Sequence, residues 1–351
     1  MKFDLNKIVR GNIKKLVPYS SARDEYKGKE GIFLDANENS YGSPLEEDHN
    51  RYPDPLQLDL KKKISKIKGL PVQNIFIGNG SDEAIDILFR AFCEPGKGNV
   101  IICPPTYGMY EVTANINDVQ VKKVNLTSET FQLDVKNIKF AIDKDTRLIF
   151  ICCPNNPTGN GMQWDDIREL LENFEGLLVV DEAYINFASY RSLIPELLNF
   201  PNLVILQTLS KAWGLAGLRV GMAFASQQII DIFNKVKPPY NINSVSQELA
   251  LNALDNVDQV NLWIKEIVSE RNKLSELLAK LPYVVKVFPS EANFILVKLK
   301  EPKVIYEYLI KKKIVVRDRS KVELCEGCLR ITIGTKEQNV KLINTLKKYG
   351  K

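Results

Sequence analysis

A chain of 351 residues, 44% hydrophobic and 26% charged, can hold one large domain and a smaller one around a substantial core. Its net charge of +5 is spread along the sequence. No basic run is interleaved with aromatics or carries a reader motif, so no nucleic-acid partner is expected. No apolar run is long enough to span a bilayer, and Met1-Lys2-Phe3-Asp4 opens no signal-like stretch, so no membrane partner is expected and a cytoplasmic location is.

In chain order, residues 1–40 hold too little apolar surface to fold alone. They are expected to form an arm packed on the C-terminal unit or on a partner subunit. The only histidine, His49, lies in the polar loop Glu46–Asn50, which removes Ser-His-Asp and Cys-His catalysis. Lys61-Lys62-Lys63 sits in an amphipathic segment and reads as a solvated helix face. From there to about residue 225 short apolar runs alternate with helical segments. The runs are Ile75–Ile77, Val100–Cys103, Val119–Val124, Leu148–Cys152, Leu177–Val180, Leu203–Leu206 and Val220–Ala225, with amphipathic stretches such as Asp82–Phe92 and Asp165–Phe174 between them. Unbroken β-branched runs signal strands buried on both faces. The alternation predicts an α/β fold with a mostly parallel sheet covered by helices. A long helical stretch follows, from Asn243 to about Leu281 with a break near Asn256. Beyond it, strands are expected at Val284–Phe288, Phe294–Leu299, Ile314–Val316 and Leu329–Ile333, with helices at Pro302–Lys312 and Lys336–Tyr349. This predicts a large domain over 41–265 and a small α+β domain over 266–351.

Six cysteines are present, mostly in apolar stretches. Cys325-Glu-Gly-Cys328 lacks the two further ligands a zinc site needs, so no metal is expected.

Four segments carry chemistry, each just past a buried strand. Gly78-Asn79-Gly80-Ser81-Asp82-Glu83 runs from a strand through a glycine loop into a helix, an arrangement that cradles phosphate with free amides and the helix dipole. Glu83 stands where a dinucleotide fingerprint has its third glycine. In Cys153-Pro-Asn155-Asn156-Pro157-Thr158-Gly159 the Asn156 amide could donate to a ring oxygen, although a rigid turn alone explains the composition. In Val179-Val-Asp181-Glu-Ala-Tyr184 a carboxylate ends a strand where open α/β sheets place ligands. Asp181 could hold a protonated ring nitrogen or merely cap a helix. In Thr208-Leu-Ser210-Lys211-Ala-Trp-Gly214-Leu-Ala-Gly217-Leu-Arg219-Val-Gly221 a lysine held near other cations could form imines. By itself it could equally be a snorkelling lysine in a glycine-rich turn.

The joint occurrence of these segments resembles the fold-type I aminotransferases that use pyridoxal 5′-phosphate (PLP), over essentially the whole chain. The resemblance implies a large domain with a seven-stranded sheet. It implies that Lys211 forms the Schiff base and shuttles the substrate proton, and that Asp181 pairs with the ring nitrogen. Asn156 and Tyr184 would bond the ring oxygen, Gly80, Ser81, Ser210 and Arg219 would bind the cofactor phosphate above the helix begun by Asp82, and Tyr107 would stack on the ring.

Within that family, Ala36-Asn37-Glu38-Asn39, Arg51-Tyr52-Pro53-Asp54-Pro55, Arg317-Asp318 and Leu329-Arg330-Ile331-Thr332 are similar to the histidinol-phosphate aminotransferases. That likeness implies transamination of histidinol phosphate with 2-oxoglutarate in histidine biosynthesis, giving imidazole-acetol phosphate and glutamate. Tyr19, Asn37, Arg317 and Arg330 would bind substrate, and Tyr52 would reach the neighbouring subunit's cofactor phosphate in a homodimer with shared sites. Arg317 could instead form a surface ion pair with Asp318. Ser40 replaces the proline that often follows Asn-Glu-Asn, and Trp213 replaces a common Phe. An aromatic amino acid aminotransferase and a threonine-phosphate decarboxylase remain the alternative readings.

Overall fold

The computed structural model describes residues 3–19, 31–47 and 49–349. Seven strands build the main sheet: β1 (Ile75–Asn79), β2 (Asn99–Ile102), β3 (Gln120–Lys123), β4 (Thr146–Cys152), β5 (Leu177–Asp181), β6 (Leu203–Thr208) and β7 (Val220–Phe224). Their spatial order is β1-β7-β6-β5-β4-β2-β3. Only β7 runs against its neighbours, and the β2–β3, β2–β4, β4–β5 and β5–β6 pairs are parallel. The link from β6 to β7, residues 209–219, contains no α-helix. A parallel return needs a crossover of a dozen or more residues, so the chain doubles back and leaves this link, with Lys211 in it, at the end of the sheet.

Alternate side chains of each strand go to opposite faces. Ile75, Ile77, Ile149, Ile151, Leu178, Val180 and Ile205 join one apolar core. Phe76, Leu148, Phe150, Leu177, Val179 and Val204 join a second core on the other face. Both faces are therefore dry, which is why the strands read as unbroken apolar runs.

The smaller unit holds an antiparallel sheet in the order β10-β11-β9-β8, made of β8 (Val284–Val287), β9 (Phe294–Leu299), β10 (Arg317–Asp318) and β11 (Cys328–Thr332). Helices Pro302–Lys311 and Lys336–Tyr349 cover it, around a third core that includes Ile295, Val297, Leu329, Ile331 and Leu342.

Four expectations need correction or refinement. The arm's first segment packs on the large unit rather than on the C-terminal one, because Ile8, Val9 and Ile13 are buried with Phe89 and Phe233. Residues Ile314–Val316 form no strand; pairing begins only at Arg317, opposite Arg330, and Val315 is left 80% exposed. The Lys61–Lys63 run is not a uniformly solvated face. Lys61 is buried, and that burial, reinforced by nearby Lys237, lowers its pKa to about 8. Finally, the expected division at 265/266 falls inside the continuous helix Val257–Ala279. Val260 of that helix packs in the large-unit core and Leu274 in the small-unit core. Among the described residues no helix is long and apolar enough to cross a membrane.

Candidate active site

A cleft of about 920 Å³ opens where the C-terminal ends of the parallel strands face the small sheet. It brings together Gly80, Ser81, Asp82, Tyr107, Asn156, Asp181, Tyr184, Ser210, Lys211, Arg219, Arg317 and Arg330. Tyr19, Asn37 and Tyr52 are not among the residues lining it. Tyr19 is 74% exposed, and Tyr52 is half exposed and stacks on Tyr240 at 4.5 Å between ring centroids. Asn37 is exposed in a left-handed backbone conformation with φ 55°. The two motifs near it are tied together: the Glu38 carboxylate accepts from the Tyr52 amide at 2.6 Å and pairs with Arg51 at 2.7 Å.

Asp181 ends β5 and is buried. One carboxylate oxygen accepts from the Tyr110 hydroxyl at 2.7 Å and the other from the Ala183 amide at 3.0 Å. The second contact closes a turn and caps no α-helix. Burial pushes the Asp181 carboxyl above the usual range, against the pull of Tyr110, Ala183 and the Lys211 ammonium. Lys211 is lowered, first by burial of its surroundings and then by the Arg330 guanidinium. Its ammonium lies 5.6 Å from the centre of the Tyr184 ring. The lysine and the carboxylate thus push each other toward ionisation while desolvation pushes both toward neutrality, the balance that tunes catalytic groups.

At the start of helix Ser81–Phe92, Gly80 adopts φ 76° and its amide donates to the Arg219 carbonyl at 2.6 Å. A Cβ on Gly80 would meet the Arg219 guanidinium at 2.7 Å, and one on Gly221 would meet the Ser81 backbone nitrogen at 2.1 Å. Only glycines let β7 and the loop close this tightly. At Gly221 the close neighbours are backbone atoms of Gly80 and Ser81. Asp82 receives Arg219 at 3.3 Å and the Tyr107 hydroxyl at 3.1 Å. Glu83, in the third-glycine position, accepts from the Asn241 amide at 3.0 Å.

Asn156 sits between the two units. Its amide nitrogen donates to the Tyr184 hydroxyl at 3.3 Å, and its oxygen accepts from Arg330. Arg330 lies on β11 opposite Arg317 on β10, which places both on one face of the small sheet. Asp318 does not pair with Arg317; its carboxylate accepts from the Ser320 amide at 2.8 Å. His49 is exposed beside Glu47 and lies off the cleft. All six cysteines are free and buried, burial raises the Cys325 and Cys328 thiols to about 12 and about 11, and no metal-binding cluster exists among the described residues.

The sequence also matches the family model described as aminotransferase class I and II, over residues 34–346. The chain belongs to that aminotransferase family. It is accordingly a PLP-dependent transaminase. This aminotransferase is 54% identical, over 349 residues, to the histidinol-phosphate aminotransferase of Cytophaga hutchinsonii, covering 99% of this chain and 100% of that one. Among solved structures, the histidinol-phosphate aminotransferase from Clostridium acetobutylicum superposes with a TM-score of 0.80 at 27% identity, covering 86% of this chain and 91% of that one. The histidinol-phosphate aminotransferase from Sinorhizobium meliloti, in complex with pyridoxal-5′-phosphate, shares the fold with a TM-score of 0.77 at 23% identity, covering 90% of each chain.

The residues of the aminotransferase fit PLP. The Ser210 hydroxyl oxygen is buried with no hydrogen-bond partner, in the cleft also lined by the N-terminus of helix Ser81–Phe92 and by Arg219, groups suited to a phosphate. Asp181 offers a buried carboxylate to a cationic ring nitrogen. Two lining or supporting residues were missed from the sequence. Tyr110 lies three residues after Tyr107, in helix Met109–Ile116; its hydroxyl needs a partner because the side chain is fully buried, and that burial left no signal in the sequence. Arg319 lines the cleft two residues after Arg317, and the Arg-Asp-Arg alternation was its signal.

Proposed function

We propose that this aminotransferase transfers the amino group of histidinol phosphate to 2-oxoglutarate, giving imidazole-acetol phosphate and glutamate, as a step of histidine biosynthesis. The observation that carries the reading is the pair Arg317 and Arg330, facing each other across β10 and β11 in the cleft that holds Lys211. One substrate carries a carboxylate beside its amine and the other a CH₂-phosphate. A planar, permanently charged fork suits both anions, and a second guanidinium suits the phosphate, which carries nearly two charges at neutral pH.

In this reading Asp181 holds the cofactor's ring nitrogen, Asn156 and Tyr184 its ring oxygen, and Tyr107 its ring face. Gly80, Ser81, Ser210 and Arg219 hold its phosphate, and Asp82 steadies Arg219. Bound PLP supplies the electron sink that stabilises a carbanion at the substrate carbon. Lys211 holds the cofactor covalently at rest; its lowered pKa favours the neutral amine that then takes and returns the substrate proton. Asp181 stays charged against the ring cation. Arg330 fixes the substrate anion and so orients the bond to be broken.

A homodimer completes the reading. Ile32, Leu34, Tyr41 and Leu45 are large apolar side chains more than 60% exposed in the single chain, close in sequence to the Glu38–Arg51–Tyr52 clamp. A partner subunit covering this surface would bring Tyr52 to the neighbouring cofactor phosphate. For Tyr19 and Asn37 the reading requires the arm to close toward a cleft.

The test is to mix purified protein with histidinol phosphate and 2-oxoglutarate and to quantify glutamate. Turnover well above that with phenylalanine or tyrosine is expected. Faster turnover of the aromatic amino acids, or carbon dioxide release from threonine phosphate, would overturn the assignment.

A further inference from the structure

A third guanidinium shares the face of Arg317 and Arg330. The Arg319 amide donates to the Cys328 carbonyl at 2.9 Å, so the extended backbone of β10 continues past Asp318. Side chains alternate along such a segment, which sends Arg317 and Arg319 to one side and Asp318 to the other. Arg317, Arg319 and Arg330 all line the cleft. Arg319 is half-buried. Its Nε is covered without an acceptor, as is that of Arg330.

Among the described residues no carboxylate pairs with any of the three, unlike Arg219 with Asp82 or Arg271 with Glu291. Around Arg330 stand the Asn156 amide, the Tyr184 phenol and the Phe294 ring, 5.1 Å from its guanidinium, and a further cation, the Lys211 ammonium. Burial, then Arg330 and Arg317, depress the Arg319 pKa, so the three charges act on one another. Arginine does not escape by losing its proton. Arg319 and Arg330 are partly desolvated and Arg317 is exposed beside them, and three cations so placed repel unless an anion joins them. A carboxylate brings one charge, whereas a phosphate monoester brings nearly two and three acceptor oxygens.

We propose that Arg319 is a specificity-determining residue of this cleft, the third cation that with Arg317 and Arg330 matches a phosphate dianion and separates the phosphate ester from the amino acid sharing the site. The proposal rests on the substrate reading above and adds to it a residue outside the facing pair.

The test uses the holoenzyme of wild type, Arg319→Gln and Arg319→Lys, in single-turnover reactions with histidinol phosphate, histidinol and glutamate. A lost charge-assisted bond corresponds to about a ten- to hundredfold change. Arg319→Gln should lose that much kcat/KM with histidinol phosphate and little with glutamate or histidinol. Arg319→Lys should recover part of it. Competitive inhibition by inorganic phosphate should weaken in parallel. In wild type, KM for the phosphate ester should rise as pH falls through about 6, where the dianion gains a proton, and Arg319→Gln should flatten that rise. The melting temperature of Arg319→Gln should not fall, because a repulsion is relieved. Equal losses with all three substrates together with a lower melting temperature would make Arg319 merely structural and overturn the proposal, as would an unchanged histidinol phosphate reaction. A wild-type enzyme that turned over histidinol as well as histidinol phosphate would overturn the substrate reading itself, and this proposal with it.

Discussion

Replacing Tyr110 by phenylalanine removes a single oxygen from beneath the active site. The hydroxyl donates to the Asp181 carboxylate at 2.7 Å, and both side chains are buried, Tyr110 fully so. The ring would stay, stacked on Phe150 at 4.7 Å and edge-on to Tyr107 at 5.5 Å. What is lost is a hydrogen bond to a charged group, which contributes about 1.5–3 kcal/mol. Where the loss appears depends on pH. The folded Asp181 pKa is raised by burial, so between the ordinary carboxylate range and that raised value the unfolded chain binds fewer protons than the folded one. The stability of the cofactor-free protein therefore falls as pH rises through this window and then levels. Tyr110→Phe raises the folded pKa further and extends the fall to higher pH. Below the folded pKa, Asp181 is neutral without cofactor and must ionise when PLP binds, so the variant should bind PLP about ten- to hundredfold more weakly. Above it, the same free energy should appear as lost fold stability with unchanged PLP affinity. Titrating PLP by absorbance, and denaturing the cofactor-free protein at matched pH values, would measure both quantities. If neither quantity changed at any pH, the contact to Asp181 would have no energetic role and the reasoning would fail.

Other outcomes follow from the same geometry. Lys61→Met should stabilise the protein by up to about 3 kcal/mol at neutral pH, because a buried lysine with a pKa near 8 destabilises the fold while charged. The gain should shrink as pH rises from about 8 toward 10.5, as the folded lysine loses its proton before the unfolded one, and a pH-independent gain in denaturation would point to packing instead. Lys211→Ala should fold and bind PLP non-covalently without transaminating; spectra of the bound cofactor and product analysis check this, and wild-type turnover would sink the assignment. Mixing inactive Tyr52 and Lys211 variants and allowing subunit exchange should restore part of the activity, whereas a competent monomer at low concentration would refute shared sites.

Much of the fold was legible because burial on both faces of the main sheet writes strands as unbroken apolar runs; each of the seven runs overlaps one strand of the main sheet. The strand-end segments were legible for a related reason. Each glycine, lysine or carboxylate that follows such a run has a bland role open to it, and only their joint occurrence at four strand ends pointed to chemistry. The edge of the small sheet was misread because Ile314–Val316 is as apolar and β-branched as a strand, yet pairing with β11 begins only at Arg317. Lys61 was misread because a lysine in an amphipathic run is normally solvated, and its burial depends on residues far away in sequence, Lys237 among them.

The sequence by itself determined the alternation of elements and the mostly parallel sheet, since these follow from local periodicity, whereas the residues expected to hold PLP came only from the family resemblance that the four strand-end segments carry jointly. Only the tertiary structure decided which of those residues meet. It joined Asn156 to Arg330 across 174 positions, set Tyr110 beneath Asp181, and gathered three arginines in one cleft with no carboxylate among the described residues paired to any of them. It also sent the first turns of the arm to the large unit. Such pairings arise because packing brings together groups distant along the chain, and neither their separation nor their shared desolvation leaves a local pattern in the sequence.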